Sequence, residues 1–464
     1  MNGITDVIAA VSTPPGKGGV AVIRICGRGT AELLDKLFLT PSGKTLSNLP
    51  PRRQVYGFVY DGTEPIDDVM ATRFEAPSSY TGEDTVEIYC HGGTLVTRSV
   101  LEAIFRCGVR PAEAGEFTKR AFINGKITLS DAELISTLLE AKSREEITLS
   151  GKAARERLNC EIESIKKQLT ELMSSVWARI DYPDEDLGDF TDKELLEALD
   201  NCTEELDKLI STYRTGRAIS EGISTVLCGK PNVGKSSIYN AILGEDAAIV
   251  TDVAGTTRDV LERTTALGRV TLKLRDTAGI RTDKLDPIER IGIERSQKMI
   301  KDAELILAVF DISEPLDEAD REIIREIAES SAVKVAILNK FDKNTHFSSD
   351  SFPYKDEFSQ TLTVSANDEA TLISTLTKTV NQLMTDEKIS ASDTAIVSSA
   401  RQHAQLLRTR DFLNLARNGL ALGFSQDTAS SDIERALASI SGSDAREVSE
   451  SVVTDIFSKF CVGK

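Results

Sequence analysis

At 464 residues and 50.5 kDa the chain has room for about three domains, each burying a core of its own. Hydrophobic residues make up 40% and charged residues 28%, which excludes disorder along the whole length, and the longest strong apolar runs, such as Leu305–Phe310, fall well short of the ~18 residues that span a bilayer. The balance of 55 Lys+Arg against 73 Asp+Glu, a net −18, argues against tight unaided binding to nucleic acid, which needs clustered cations against phosphate.

The first ~122 residues mix short alternating runs with Gly/Pro turns. Met1–Asp6 has no basic stretch ahead of an apolar one, so no secretory leader is expected. After the turn-rich Pro14–Gly19, Val20–Ile25 predicts a strand, Val86–Cys90 predicts another, and Leu95–Phe105 predicts a helix. This is an α+β texture. It is nearly neutral, with 13 Lys+Arg and 14 Asp+Glu in residues 1–124, which leaves 42 − 59 = −17 for the remainder. Arg24 sits inside an apolar strand, so it lies either on a sheet edge or facing a pocket; taken alone, the edge is the simpler reading.

From about Ser130 to Tyr213 the spacing turns helical. Leu134, Leu138 and Leu139, then Leu158, Ile162, Ile165, Leu169 and Leu172, predict long antiparallel helices. The acidic break Asp181–Gly188 reads as a solvated loop. From Gly222 to about Asp386 strands and helices alternate. Ile223–Cys228, Val270–Arg275, Leu305–Asp311, Val333–Leu338 and Leu362–Val364 predict a mostly parallel sheet with helical crossovers. After Ser390 the helical texture returns, as if the α/β module were inserted into one helical domain. Near the end, Val453, Ile456, Phe457 and Phe460 keep helical spacing, which predicts an anchored tail rather than a frayed one. There are no internal repeats. Seven cysteines without a C-x-x-C pair argue against a disulfide framework or a zinc ribbon, and three histidines argue against a multi-histidine metal site.

The strongest motif is Gly229-Lys230-Pro231-Asn232-Val233-Gly234-Lys235-Ser236. It fits G-x-x-x-x-G-K-[ST], follows a predicted strand and opens a predicted helix. Glycines let backbone N–H groups wrap phosphate oxygens at the positive end of a helix. Lys235 is expected at the β and γ phosphates and Ser236 at Mg²⁺. Asp276-Thr277-Ala278-Gly279 follows a strand, with Asp276 expected to hold Mg²⁺ through water and the Gly279 N–H to sense the γ-phosphate. Asn339-Lys340-Phe341-Asp342 ends another strand. The Asp342 carboxylate can accept the paired N–H groups of guanine, which adenine cannot supply, and so selects GTP. Ser365 and Ala366 are expected at the guanine oxygen through backbone N–H. These pieces, in this order, resemble the G domains of small GTPases. Ala254-Gly255-Thr256-Thr257-Arg258-Asp259 resembles the switch loop of translation-factor-like GTPases, with Thr257 closing on Mg²⁺. The expected GTP contacts are thus Asn232, Val233, Gly234, Lys235, Ser236 and Ser237; Thr251, Asp252, Val253, Ala254, Gly255, Thr256 and Thr257; Asp276, Thr277, Ala278 and Gly279; Asn339, Lys340 and Asp342; and Ser365 with Ala366. Ser236 and Thr257 are the expected Mg²⁺ ligands. Ile280 stands where many GTPases carry a water-orienting glutamine, so catalytic help must come from elsewhere. Asn232, the segment 247–256 and Glu289 are candidates, although Glu289 alone reads as a solvated helix-start carboxylate.

Taken end to end, the chain resembles the MnmE (TrmE) family of tRNA-modification GTPases. The resemblance rests on Thr13-Pro14-Pro15-Gly16-Lys17-Gly18-Gly19-Val20, Tyr80-Thr81-Gly82-Glu83-Asp84, Gly115-Glu116-Phe117-Thr118-Lys119-Arg120-Ala121-Phe122, Asp181-Tyr182-Pro183-Asp184-Glu185, Ile249-Val250-Thr251-Asp252, Glu289-Arg290-Ile291-Gly292-Ile293-Glu294-Arg295 and the closing Phe460-Cys461-Val462-Gly463-Lys464. It implies a multidomain fold: an N-terminal α+β folate-binding and dimerisation domain (1–122), a discontinuous α-helical domain (123–216 and 386–464) and an inserted α/β P-loop G domain (217–385). It implies GTPase activity driven by dimerisation of G domains, with K⁺ held by Asn232, Thr251, Val253 and Thr256 in place of an arginine finger. Lys235 and Asn232 then act catalytically beside Glu289, which positions the attacking water. It also implies a tetrahydrofolate derivative of the 5-formyl type held by Arg24, Glu87, Lys126 and Lys464. Cys461 reads as a small packing residue near that pocket. The implied setting is a cytoplasmic homodimer that joins an FAD-dependent partner, forming a heterotetramer, to place an aminomethyl or carboxymethylaminomethyl group on the wobble uridine of certain tRNAs; no membrane is involved. The competing reading is a GTP-switch assembly factor acting on RNA or ribosomes without modification chemistry, but no basic module with a G-x-x-G loop follows the G domain.

Overall fold

The computed structural model describes residues 6–181, 191–244, 262–276, 298–343, 345–346, 348–441, 456–458, 460 and 462–463. They fall into two compact units, one of residues 1–136 with 441–464 and one of residues 137–440.

The first unit is built on a seven-stranded sheet in the order β3-β4-β5-β6-β2-β1-β7. Its strands are β1 (Ile8–Val11), β2 (Val20–Cys26), β3 (Phe38–Leu39), β4 (Val55–Asp61), β5 (Glu64–Phe74), β6 (Thr85–His91) and β7 (Arg110–Pro111). All neighbours are antiparallel except β1 and β7. The period-2 alternation puts Ile23, Ile25, Ala71, Val86 and Ile88 into a fully buried core beneath the helix Thr94–Arg106. The opposite face takes Arg24, Glu87 and Thr72, which lie abreast on three adjacent strands. Because β2 runs between β6 and β1, Arg24 is not on an edge. The edge reading fails because strand order, which no local pattern encodes, places β2 inside the sheet. The tail docks on this unit: Phe457 and Phe460 are buried with Phe122, Leu129 and Ala132, Val462 bridges Ala114, and the Ser12 hydroxyl donates to the Gly463 carbonyl at 3.0 Å. Gly115 passes so near that a Cβ there would lie 2.4 Å from the Phe457 carbonyl oxygen.

In the second unit the long helices Lys152–Asp181 and Asp192–Ser220 pack with Ala400–Ala421 and Gln426–Ser441. They share one core, from Leu158, Ile165, Leu169 and Leu206 to Leu413 and Ile433. A helical layer drawn from both sides of the α/β module is thus one body with the module inserted. Leu138 and Leu139 do lie in a helix, Leu129–Glu140, but are exposed rather than buried. The inserted sheet has the order β13-β12-β11-β8-β10-β9. Its strands are β8 (Ile223–Cys228), β9 (Glu262–Leu267), β10 (Val270–Asp276), β11 (Leu305–Asp311), β12 (Val333–Asn339) and β13 (Gln360–Thr363). Every pair is parallel except β9 with β10. β11 is buried at every position, as a central parallel strand covered on both faces must be. Two expectations shift. β13 starts two residues before Leu362 and stops before Val364, and β9 adds an antiparallel edge that an Arg-Thr-Thr run did not announce. The acidic break, at Tyr182–Gly188, lies outside the described residues. No described helix is long and apolar enough to cross a membrane.

Candidate nucleotide site and the Arg24 pocket

The phosphate loop lies at the C-terminal end of β8, where ligands of open α/β sheets bind, and it leads directly into the helix Lys235–Leu243. Its conformation needs its glycines. Gly229 has φ 147° and a Cβ there would sit 2.4 Å from the Val309 carbonyl oxygen; Gly234 has φ 102° and a Cβ there would sit 2.2 Å from Asn339 Nδ2. Asn232 is left-handed at φ 65° with its side chain exposed, and Gly234 caps the helix, so the first helical N–H groups have no side-chain cap competing for them. Lys235 Nζ donates to the Gly229 and Lys230 carbonyls at 2.8 and 2.7 Å, folding across the mouth of the loop. Val233 is buried, whereas Ser236 and Ser237 are exposed at the helix start. Lys230 fastens the loop outward through Asp317 at 3.0 Å and Asp320 at 2.8 Å.

Asn339, at the end of β12 and 1% exposed, joins the phosphate loop to the base loop. Its Nδ2 donates to the Val233 carbonyl at 2.7 Å and its Oδ1 accepts the Ala366 N–H at 2.9 Å. Lys340, left-handed at φ 68°, pairs with Asp311 at 2.5 Å. Burial would raise the Asp311 pKa, but hydrogen bonds and charge from Lys340 and Ser313 hold it below the ordinary carboxylate value. Asp342 accepts the Ser365 hydroxyl at 2.7 Å and Asn367 Nδ2 at 3.0 Å, and these bonds lower its pKa, Ser365 most. The structure therefore brings Asn232, Val233, Gly234, Lys235, Ser236, Ser237, Asn339, Lys340, Asp342, Ser365 and Ala366 to the C-terminal ends of β8, β11, β12 and β13. The Asp276 backbone is in register with Leu227 on neighbouring β8, just ahead of the phosphate loop. Thr251–Thr257, Thr277–Gly279 and Glu289 lie outside the described residues. Sequence reading missed Asn367 and Asp311, since neither belongs to a motif and only the strand order brings them in.

In the first unit, Arg24 Nε donates to Glu87 Oε1 at 2.9 Å, and the Tyr89 hydroxyl donates to Glu87 Oε2 at 2.7 Å. The Tyr80 and Phe117 rings lie 5.4 and 5.7 Å from the guanidinium carbon. Burial and the Glu87 carboxylate push the Tyr89 pKa up to about 12, so its hydroxyl remains a donor. Lys126 Nζ reaches the Pro77 carbonyl at 3.0 Å, on the loop that also carries Tyr80. Arg24 and Glu87 are thus in direct contact, and Lys464 and Cys461 lie outside the described residues. Tyr89 went unread in the sequence, although its i, i+2 relation to Glu87 within one strand was the available signal.

Residues 7–126 match the family described as the GTP-binding protein TrmE N-terminus, and residues 129–461 match the MnmE helical domain. The tRNA modification GTPase MnmE of Lactiplantibacillus plantarum is 37% identical over 463 residues, covering 99% of this chain and 98% of that protein. Its counterpart in Thermotoga petrophila is 35% identical over 459 residues, covering 99% of this chain and 100% of that protein. Among solved structures, Aquifex aeolicus Era bound to GDP and AlF4⁻ is 24% identical over 41% of this chain and 66% of that one, with a TM-score of 0.27. Matched over nearly its whole length by relatives of one kind, and by both family descriptions, this chain belongs to the MnmE family of tRNA modification GTPases.

Proposed function

We propose that this protein hydrolyses GTP, with Mg²⁺, in the service of tRNA modification, using the loop Gly229–Ser236 for the phosphates and Asp342, Ser365 and Ala366 for guanine. The observation that carries this reading is the Asn339 brace. A single buried carboxamide ties the phosphate loop to the base loop, so both ends of one nucleotide are gripped by one rigid element. The residues fit the ligand: two glycines whose Cβ atoms would strike neighbours keep the loop backbone free for phosphate, and a carboxylate held ionised faces the base position. Mg²⁺ would be held by Ser236 and Thr257, with Asp276 behind a water. Asn232, Thr251, Val253 and Thr256 would hold K⁺, which would supply positive charge where the β–γ bridge becomes negative, the task of an arginine finger elsewhere. Glu289 orients the attacking water through a second water, and two G domains of a homodimer meet to complete the site.

The Arg24 pocket is the proposed folate site. Glu87 offers acceptors to a pterin's N–H groups, Arg24 and the Tyr80 and Phe117 rings give it flat walls, and Lys126 with Lys464 suits an anionic glutamyl tail. With an FAD-dependent partner, in a cytoplasmic heterotetramer, the protein serves the aminomethylation or carboxymethylaminomethylation of wobble uridine in tRNA. The acidic chain needs that partner's surface to hold tRNA. The test is GTP turnover by the full chain in potassium against sodium at equal ionic strength. Turnover at least ~10-fold faster in potassium is expected; equal rates would sink the potassium assignment. Nucleoside analysis of tRNA from cells lacking the gene should show loss of the modified wobble uridine, and an unchanged profile would remove the tRNA assignment.

A further inference from the structure

From the geometry of the base loop we infer that Asn367, outside every motif of the nucleotide site, is a positioning residue for guanine selection: it holds the second oxygen of Asp342 and so sets the plane of the carboxylate that reads the base. The inference deepens the GTP-site reading and rests on it. An aspartate side chain rotates easily about its last torsion, which is broad and roughly two-fold. One donor to one oxygen leaves the other free to swing about that contact. Asp342 has two donors, one per oxygen: Ser365 Oγ at Oδ1, 2.7 Å, and Asn367 Nδ2 at Oδ2, 3.0 Å. Each carboxylate oxygen has two in-plane acceptor sites. With one site on each oxygen taken by protein, the remaining pair lies in a fixed plane, ready for the two parallel N–H groups on the guanine edge. Because it faces a carboxylate oxygen, the Asn367 carboxamide must present its nitrogen, so its orientation is set by chemistry.

The loop that presents Asn367 is itself tied down. Its N–H donates to Ser365 Oγ at 3.3 Å, which makes the serine hydroxyl a relay between Asn367 and Asp342. The Asp368 N–H donates to the Ser365 carbonyl at 3.0 Å, and the Asp368 side chain caps the helix Glu369–Met384 at Thr371. Asn367 is exposed, so truncating it leaves the core intact.

A preset plane helps a two-point donor more than a one-point donor. Guanine gives Asp342 two N–H groups, whereas inosine, without the exocyclic amine, gives one. The experiment measures equilibrium binding of fluorescent GTP to the full chain with competition by GTP and ITP, together with steady-state turnover. Asn367→Ala should raise the GTP dissociation constant ~3- to 10-fold, lower the GTP:ITP preference by a similar factor, raise KM and leave kcat unchanged. Asn367→His, which keeps a side-chain N–H, should restore part of the preference. An unchanged GTP:ITP ratio in Asn367→Ala, or a fall in kcat at constant KM, overturns the inference. Asp342→Asn separates this from failure of the site reading. An amide can donate to the C2 oxygen of xanthine, so that variant should move preference from GTP toward XTP. If it does while Asn367→Ala behaves as wild type, only the role of Asn367 falls; if it does not, the assignment of the guanine site falls as well.

Discussion

Gly229–Ser236 presents backbone amides at a helix start, whereas the cluster around Arg24 is built of side chains from neighbouring strands and from a helix. The phosphate loop acquires its shape from missing Cβ atoms, at Gly229 against Val309 and at Gly234 against Asn339. The Arg24 face acquires its shape from partners: Glu87 takes Arg24 and Tyr89, two rings flank the guanidinium, and deeper in the same unit Arg120, 1% exposed, is shared by Asp6, Glu83 and Glu116 at 2.9 to 3.0 Å. Backbone-built sites tolerate side-chain change but not bulk. Side-chain-built sites tolerate bulk at their margins but fail when one member of a charge network is removed.

The largest expected effect belongs to the second kind. Arg120→Leu takes the cation from Glu83 and one of two cations from Glu116, which keeps Arg110, beside a buried apolar chain, and should cost about 3–5 kcal/mol of stability. Urea unfolding of the full chain should show the loss as a lower midpoint of the transition that reports the first unit, with GTP affinity preserved. A variant as stable as the parent would mean that the network is dispensable. Next comes the phosphate loop. Gly234→Ala combines a left-handed φ of 102° with a Cβ 2.2 Å from the Asn339 amide, so Asn339 must give way. Backbone strain of about 1–3 kcal/mol is expected. GTP affinity should fall by ~100-fold or more, since the Asn339 brace moves with the loop and phosphate donors are lost. Retention of tight binding would show that the brace is unnecessary. Smaller again is Glu87→Gln, which keeps shape but removes charge beside Arg24. About 1–2 kcal/mol is expected for the weakened pair, read as a lower urea midpoint. Binding of a formyl-tetrahydrofolate should be lost in the same protein, and unchanged folate binding would move the site elsewhere.

These contrasts also explain what could be read from sequence. A backbone-built site leaves a dense local signature, because each close approach forces a glycine at a fixed offset. Gly229, Gly234 and Lys235 were legible for that reason, and so were Asp342 and Ser365, which sit where strands end. The central strands Ile223–Cys228 and Leu305–Asp311 were legible to the residue: double burial makes Leu305–Phe310 continuously apolar, and Ile223–Cys228, mostly buried, runs straight into the glycine of the phosphate loop. The Arg24 pocket was not legible from pattern alone. Glu87 lies 63 positions away and meets Arg24 only through the β2–β6 register, and the resemblance to a family, not periodicity, named the pair. Strands β4 and β5 escaped because Tyr, Gly, Asp and Glu break the alternation; their pairing is set by a hairpin with a register shift at Val59 and Tyr60. Asn367 escaped because an exposed polar residue in a turn carries no periodic mark.

The smallest effect tests the charge network by titration. Burial would raise the Glu116 pKa, but hydrogen bonds from Arg110, the Glu113 N–H and Arg120, with the charge of Arg120, outweigh it and hold Glu116 below its ordinary value of 4.5. Burial raises the Asp6 pKa as well, but the hydrogen bond and charge of Arg110 and the charge of Arg120 together outweigh it and hold Asp6 below 3.8. A carboxylate whose pKa is depressed on folding binds fewer protons folded than unfolded. Its stabilisation is therefore complete above the unfolded value and is lost as pH falls through the folded one. The first unit should lose stability as pH drops below about 4.5, with Glu116 entering first and Asp6 following. Glu116→Gln cannot titrate, so its urea midpoint should start lower at neutral pH and fall less steeply on acidification. The loss should stay below that of Arg120→Leu, because protonating one carboxyl leaves Arg110 and Arg120 their remaining partners, Asp6 and Glu83. Parallel midpoint-against-pH curves for Glu116→Gln and the parent would place the acid sensitivity in another group and break the link between the buried arginine and the carboxylates around it.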